Sequence, residues 1–142
     1  MTDNTHQGGC LCGDIRYEGR GDIVAAHACY CRQCQKWCGG PLHSAGFADG
    51  VVVTSGQPHW FKSSAFAERG GCAKCGSALF WKFQDDTDVA VTLGSLDNPG
   101  TLPKIDTLVF VDHRPAWIDI PNNVKKMTEA DCIAAFEARA SQ

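Results

Sequence analysis

The sequence lacks an apolar segment long enough to cross a membrane. Its longest apolar runs are a few residues, such as 51–53, whereas a transmembrane helix needs about 20. It also lacks an excess of positive charge, since the formal net charge is -3, so nucleic acid and anionic lipid find no general electrostatic attraction. The first seven residues are polar and carry neither the basic nor the apolar region of a signal peptide. These absences predict a cytoplasmic protein that binds neither nucleic acid nor membranes.

Several common catalytic motifs are missing as well. We find no phosphate-binding loop, no Gly-x-Ser-x-Gly elbow and no His-Glu-x-x-His pair. No linker, low-complexity run or internal repeat divides the chain. A length of 142 residues with 44% hydrophobic content is typical of one folded domain. We therefore expect residues 1–142 to form a single domain.

Short segments rich in β-branched or aromatic residues, bounded by turn residues, predict strands. These segments are 10–18, 22–29, 41–47, 51–54, 59–61, 78–83, 89–93, 108–111 and 117–120. Strands at this spacing favour a mainly β architecture over alternating strands and helices.

Two segments predict helices. Residues 32–37 contain no helix breaker and are followed by Gly39, Gly40 and Pro41. Near the end of the chain, Thr128 resembles an N-cap, with Asp131 three residues later. Apolar residues at helical spacing then predict a C-terminal helix over about 128–140 that packs on the sheet.

What the chain has in abundance is cysteine. The nine cysteines are an odd number, so they cannot all pair within one chain. Without an export signal, the reducing compartment disfavours disulfides, and the same density then indicates metal binding. The cysteines lie at positions 10, 12, 29, 31, 34, 38, 72, 75 and 132.

Two cysteine pairs have the spacing of zinc-binding turns. Cys10 and Cys12 are followed by a glycine, as are Cys72 and Cys75. Two such turns supply the four thiolates of a tetrahedral zinc site, which is structural because no coordination position stays open. The alternatives are reduced cysteines of the core and a redox-active Cys-x-x-Cys at 72–75, although the βαβ context of thioredoxin-type motifs is missing.

A third group, Cys29, Cys31 and Cys34, places three thiols within six residues. Three protein ligands leave one zinc position open, as in catalytic sites. A substrate thiol bound there loses its proton and becomes a nucleophile, and zinc also polarises a carbonyl oxygen. The competing interpretation is a second structural site closed by Cys38, which lies on the same helical face as Cys34.

Two further side chains are candidates near this group. His27, two residues before Cys29, is a candidate hydrogen-bond donor behind the metal or a general acid, although a packed histidine is the simpler interpretation. Cys132, alone in the C-terminal helix, is expected to be a small buried apolar residue.

With these residues in view, the chain resembles the glutathione-dependent formaldehyde-activating enzyme family, which includes centromere-protein-V-type domains. The resemblance covers roughly residues 8–120. The segments that carry it are GCLCG (9–13), CYCRQCQK (29–36), CAKCGSALF (72–80), LGSLD (93–97) and DHRPAW (112–117).

The resemblance implies a zinc-binding β-tent fold of twisted antiparallel sheets. It matches Cys10, Cys12, Cys72 and Cys75 to a structural zinc, and Cys29, Cys31 and Cys34 to a second, catalytic zinc, giving two zinc ions per chain. It implies a carbon–sulfur lyase that condenses formaldehyde with glutathione to S-(hydroxymethyl)glutathione. Arg32 and Lys36 lie beside the triad and are candidates for the glutathione carboxylates, although solvated surface charge is the plainer interpretation.

Two functions therefore follow from the sequence. One is a zinc-dependent lyase that acts on a small aldehyde and a thiol such as glutathione. The other is a non-catalytic binding module in which both zinc sites are structural. The number of protein ligands at the second zinc separates them, while the oligomeric state is not specified by the sequence.

Overall fold

Short strands separated by turns make up most of the regular structure, as the sequence predicts. The computed structural model describes residues 4–85 and 88–140, and over these residues the protein is mainly β. The strands are β1 (Thr5–Gly9), β2 (Arg16–Arg20), β3 (Ile23–Cys29), β4 (Leu42–Phe47), β5 (Val51–Ser55), β6 (His59–Lys62), β7 (Ala67–Gly71), β8 (Ala78–Phe83), β9 (Ala90–Thr92), β10 (Thr107–Val109) and β11 (Lys125–Lys126). The helices are α1 (Arg32–Cys38) and α2 (Glu129–Ala140), with short 3-10 helices at Leu93–Ser95, Pro99–Thr101 and Val111–His113.

The described chain divides into two compact units. The first unit takes in the described parts of Met1–Ala25 and Ser44–Pro103, and the second those of Ala26–His43 and Lys104–Gln142. The chain passes from one unit to the other within β3 and within β4. That residues 1–142 fold as a single domain stays a prediction.

The first unit contains antiparallel sheets over an aromatic and aliphatic core. In one sheet β2 lies between β1 and β5, and β6, β7, β8 and β9 pair in sequence, with β4 on β9. The largest fully buried side chains belong to Tyr17, Phe80, Ile15, Leu79 and Val91. Cys10 and Cys72 are part of the same buried cluster, so the core reaches the first cysteine of each zinc-type pair.

The second unit pairs its strands in parallel. β10 lies between β3 and β11, and Val109 pairs with Cys29 at the end of β3. Ala28, Tyr30 and Leu108 form the small buried core of this unit. The core therefore flanks the segment that carries the three closely spaced cysteines.

The C-terminal helix is confirmed, together with its cap. Asp131 N–H donates to Thr128 Oγ1 (3.2 Å), and Thr128 N–H donates to Asp131 Oδ2 (2.9 Å), which is the reciprocal pattern of a capping box. The apolar face of α2 is not buried as expected, since Ile133 and Phe136 are 48% and 38% exposed.

The strand predictions differ from the structure in a few places. Residues 10–15, predicted as the start of a strand, form a turn, and residues 117–120 form no strand. β1, β7 and β11 were not predicted, because their sequences are polar or rich in glycine and show no apolar alternation. These segments are strands because neighbouring strands pair with them, although their own composition does not indicate strand structure.

Among residues 4–85 and 88–140, no helix has the length and apolar character required to cross a bilayer.

Close packing at Gly19 provides a test of the core of the first unit. A Cβ atom added at Gly19 would lie 2.5 Å from ring atoms of Phe47, which is 6% exposed. Gly19→Ala should therefore destabilise the protein by about 1–3 kcal/mol through overpacking, measured by urea unfolding. The matched control is Gly46→Ala, also in a strand, where the added Cβ lies 3.6 Å from Val24 Cγ2. Equal stability of the two variants would contradict this packing.

Candidate metal centres

Four cysteine sulfurs converge in the first unit. The Sγ atoms of Cys10, Cys12, Cys72 and Cys75 all lie within 4.8 Å of one another. Cys12 Sγ is 3.6 Å from Cys10 Sγ and 3.8 Å from Cys72 Sγ, well beyond the ~2.05 Å of a disulfide bond. A regular tetrahedron with Zn–S near 2.3 Å has S···S edges of about 3.8 Å. The group therefore has the size and donor set of a four-thiolate zinc site.

The two pairs lie on turns of similar design. Cys10 N–H donates to Ile15 O (3.0 Å), and Cys72 N–H donates to Ser77 O (3.0 Å). Ile15 N–H also donates to Cys10 Sγ (3.2 Å). The glycine after each pair has a left-handed backbone: Gly13 (φ 82°) and Gly76 (φ 79°). This conformation, which costs glycine little, turns the chain so that main-chain N–H groups face the sulfurs.

Ser77 connects the two turns. Its hydroxyl accepts a hydrogen bond from Leu11 N–H (3.0 Å) in the first turn and lies 3.2 Å from Cys75 Sγ in the second. The hydrogen bond with the Ser77 hydroxyl lowers the pKa of Cys75 to about 5. Sequence reasoning assigned Ser77 no role, although a hydroxyl directly after the turn glycine is a local signal that could have indicated one.

The second unit gathers three sulfurs. The Sγ atoms of Cys29, Cys31 and Cys34 lie within 4.8 Å of one another. Cys29 ends β3, Cys31 is the N-cap of α1, and Cys34 lies in the first turn of that helix and is 2% exposed. Cys34 N–H donates to Cys31 Sγ (3.3 Å). The end of β3 and the start of α1 thus position all three sulfurs within residues 29–34.

The electrostatics of this group favour a cation. Hydrogen bonds with Cys31 and Cys34, followed by burial, raise the pKa of Cys29 well above its ordinary value. Three thiols this close cannot all ionise without a positive charge among them. A divalent zinc ion satisfies that requirement, and three sulfur ligands leave its fourth position open.

Cys38 does not join the three sulfurs. It is exposed, and its Sγ donates to Cys34 O (3.1 Å) and Gly40 O (3.3 Å). Its thiol therefore faces main-chain oxygens at the end of α1, outside the group whose Sγ atoms converge. The alternative in which Cys38 completes a closed site has no support in this geometry.

His27 is partly buried on β3, opposite Thr107 of β10. Alternation along the strand puts its side chain on the same face as that of Cys29. Burial lowers the pKa of His27 below its ordinary value, so the ring is neutral near pH 7. It is not among the ligand atoms that converge, and its role as a donor or general acid stays a prediction.

A third group was not predicted. Side-chain atoms of Asp112, His113 and Glu129 lie within 4.8 Å of one another at the start of α2. His113 Nε2 is 3.0 Å from Glu129 Oε2, and Asp112 Oδ1 accepts from Glu129 N–H (2.9 Å). Carboxylates at a helix N-terminus are favoured by the helix dipole. Helix capping and the hydrogen bond between His113 and Glu129 therefore account for this group without a metal.

Comparison with known proteins agrees with this arrangement of cysteines. The family model described as glutathione-dependent formaldehyde-activating enzyme matches residues 5–112, a region that includes both cysteine groups. An uncharacterized lyase of Schizosaccharomyces pombe is 24% identical over 124 residues, covering 87% of this chain and 90% of that protein. A crystal structure of a Rhodobacter sphaeroides protein superposes with a TM-score of 0.54 at 18% identity, covering 86% of this chain and 99% of the other, which shows the fold alone.

Two exposed cysteines provide a matched test of the geometry. Cys12 lies in the four-sulfur group and Cys38 outside both groups. Cys12→Ser should lose about one zinc ion per chain and unfold at a lower temperature, because a closed site needs four ligands. Cys38→Ser should keep the zinc content of the unaltered protein. The measurement is elemental analysis of freshly reduced, zinc-loaded protein, and loss of zinc in Cys38→Ser would show that Cys38 is a ligand.

Proposed function

Because the chain belongs to the glutathione-dependent formaldehyde-activating enzyme family, we propose that it is a zinc-dependent carbon–sulfur lyase that joins a small aldehyde, such as formaldehyde, to the thiol of glutathione. The lyase named among its relatives supports this class of reaction. The observation that carries the proposal is the group of three converging sulfurs, with the thiol of Cys38 directed to main-chain oxygens instead.

In this proposal the two cysteine groups hold two zinc ions with different tasks. Cys10, Cys12, Cys72 and Cys75 hold a structural ion, because four thiolates leave no position for substrate. Cys29, Cys31 and Cys34 would hold the second ion with three ligands, which would leave one coordination position for the substrate thiol. Zinc bound there supplies the positive charge that deprotonates a coordinating thiol.

The reaction balances without a further reactant. A C–S bond forms between the glutathione sulfur and the aldehyde carbon, the carbonyl π bond breaks, and the thiol proton ends on the new hydroxyl. In the reverse direction the C–S bond breaks and the aldehyde is released. The part of the chain is to bind the thiol, to orient it and to keep its sulfur deprotonated.

Arg32 is the candidate for one glutathione carboxylate. It is exposed at the start of α1, between Cys31 and Cys34 in sequence, and its Nη1 donates to Gln35 Oε1 (2.7 Å). A guanidinium held in this way suits a bidentate carboxylate contact. The cytoplasmic location predicted from the sequence is consistent with glutathione as the thiol and stays a prediction.

Removing one sulfur of the triad should abolish catalysis. Even the hydrogen-bond partners of metal ligands typically contribute about 10–100-fold to activity or metal affinity, so Cys31→Ser should reduce the catalysed rate by at least about 10²-fold. The rate of adduct formation and breakdown can be followed by exchange NMR with formaldehyde and glutathione, with the spontaneous reaction subtracted.

Zinc content of the same samples distinguishes the two candidate functions. Cys31→Ser should lose the second zinc and keep the first, while Cys38→Ser should match the unaltered protein in both rate and zinc. If the unaltered protein binds two zinc ions but does not accelerate the reaction with any thiol, the lyase proposal is wrong and a binding module with two structural zinc ions takes its place.

A further inference from the structure

Gln35 connects the triad to a distant part of the second unit. Its Nε2 donates to two main-chain oxygens, Tyr30 O (2.6 Å) and His113 O (3.2 Å). Its Oε1 accepts from Arg32 Nη1 (2.7 Å). The side chain is partly buried, and its amide contacts the ligand segment, the helix α1 and the 3-10 helix at Val111–His113.

The hydrogen bond from Gln35 is accepted by the carbonyl of Tyr30, the residue between the ligands Cys29 and Cys31. Tyr30 lies between Cys29 and Cys31, and its N–H donates to Val109 O (3.0 Å) while its carbonyl accepts from Gln35. Its side chain is 4% exposed in the core of the unit. Both main-chain polar groups of this residue are therefore hydrogen-bonded, and its side chain is buried.

The main chain of Gln35 fixes the other end of the linkage. Its N–H donates to Cys31 O (3.0 Å), and its carbonyl accepts from Gly39 N–H (2.8 Å), which caps α1. Gln35 follows Cys34 directly, so its backbone moves with that ligand. Gln35 thereby links the segment that contains Cys29 to the helix that contains Cys34.

We propose that Gln35 is a positioning residue of the second metal centre, and that its amide donor holds the Cys29–Tyr30–Cys31 segment at the separation from Cys34 that three-sulfur coordination requires. The inference rests on the proposed second zinc site but not on the aldehyde reaction. A site with three protein ligands depends on such support because no fourth ligand draws the sulfurs together.

The substitution Gln35→Glu tests the amide N–H donor by removing it. The carboxylate keeps an acceptor for Arg32 but has no N–H for the carbonyls of Tyr30 and His113. The added negative charge alone would strengthen the binding of a cation. Loss of positioning predicts the opposite sign, namely affinity of the second site for Co²⁺ and Zn²⁺ reduced about 10–100-fold.

The experiment is competitive metal titration of the full-length protein against a chelator. The thiolate-to-Co²⁺ charge-transfer bands and the ligand-field bands report how many sulfurs coordinate each ion. Gln35→Glu should weaken the second site and shift its ligand-field bands, while the first site keeps its affinity. Gln33→Glu, with the same added charge on an exposed residue of the same helix, should bind the second ion as tightly as the unaltered protein or more tightly.

The other outcomes overturn one idea or the other. If the unaltered protein binds a single metal ion, the proposed second site fails. If it binds two and Gln35→Glu binds both with unchanged affinity and spectra, only the role of Gln35 fails. Should Gln35→Glu not fold, Gln35→Met, which removes the donor without adding charge, replaces it. Unchanged second-site affinity in Gln35→Met would likewise refute the inference.

Discussion

The mutual repulsion of closely spaced thiolates is the constraint on which the rest of this structure depends. Seven sulfurs lie in two groups whose members are within 4.8 Å of one another, too close to carry negative charge together unless a cation lies among them. The β-strands and their turns bring residues that are 60 positions apart, such as Cys12 and Cys72, to 3.8 Å. Folding therefore brings together groups whose ionised forms repel one another, and binding of a metal cation would offset that repulsion.

The two groups solve this problem with different numbers of ligands. In the first unit Cys10 and Cys72 belong to the hydrophobic core that also contains Tyr17 and Phe80, so a metal ion bound by the four sulfurs would stabilise that packing. In the second unit the core is small, and the sulfurs lie where a strand ends and a seven-residue helix begins. A four-sulfur group beside a large core suits a structural metal ion. A three-sulfur group at a strand end suits a metal ion that also binds substrate.

Cysteine spacing predicted the three-sulfur group and each half of the four-sulfur group, because ligands on one short turn are constrained by local geometry. The association of the two turns was predicted from the four ligands that a closed zinc site needs. The strand predicted at residues 10–15 was wrong, because the apolar alternation there is also typical of a strand. The left-handed backbone of Gly13 and the hydrogen bonds of Ile15 make this segment a turn. β1 and β7 pair with strands adjacent in sequence and were missed because their own sequences are polar or rich in glycine. The parallel pairing of β10 with β3 depends on a partner distant in sequence. Ser77 and Gln35 escaped notice for the same reason, since their contacts at Leu11 and His113 are long-range.

Ser77 and Gln35 form hydrogen bonds beside groups with different numbers of sulfur ligands. In the four-sulfur group the metal itself would link two turns, and the Ser77 hydroxyl adds a neutral hydrogen bond of modest net value, about 0.5–1.5 kcal/mol. In the three-sulfur group all ligands come from residues 29–34, so metal binding ties together nothing beyond that segment. Besides the pairing of Cys29 with Val109 and the buried side chain of Tyr30, the side chain of Gln35 and the backbone of Tyr30 connect this segment to the rest of the unit. In the proposed open site, hydrogen bonds would thus take the structural part that the metal ion would have in the proposed closed site.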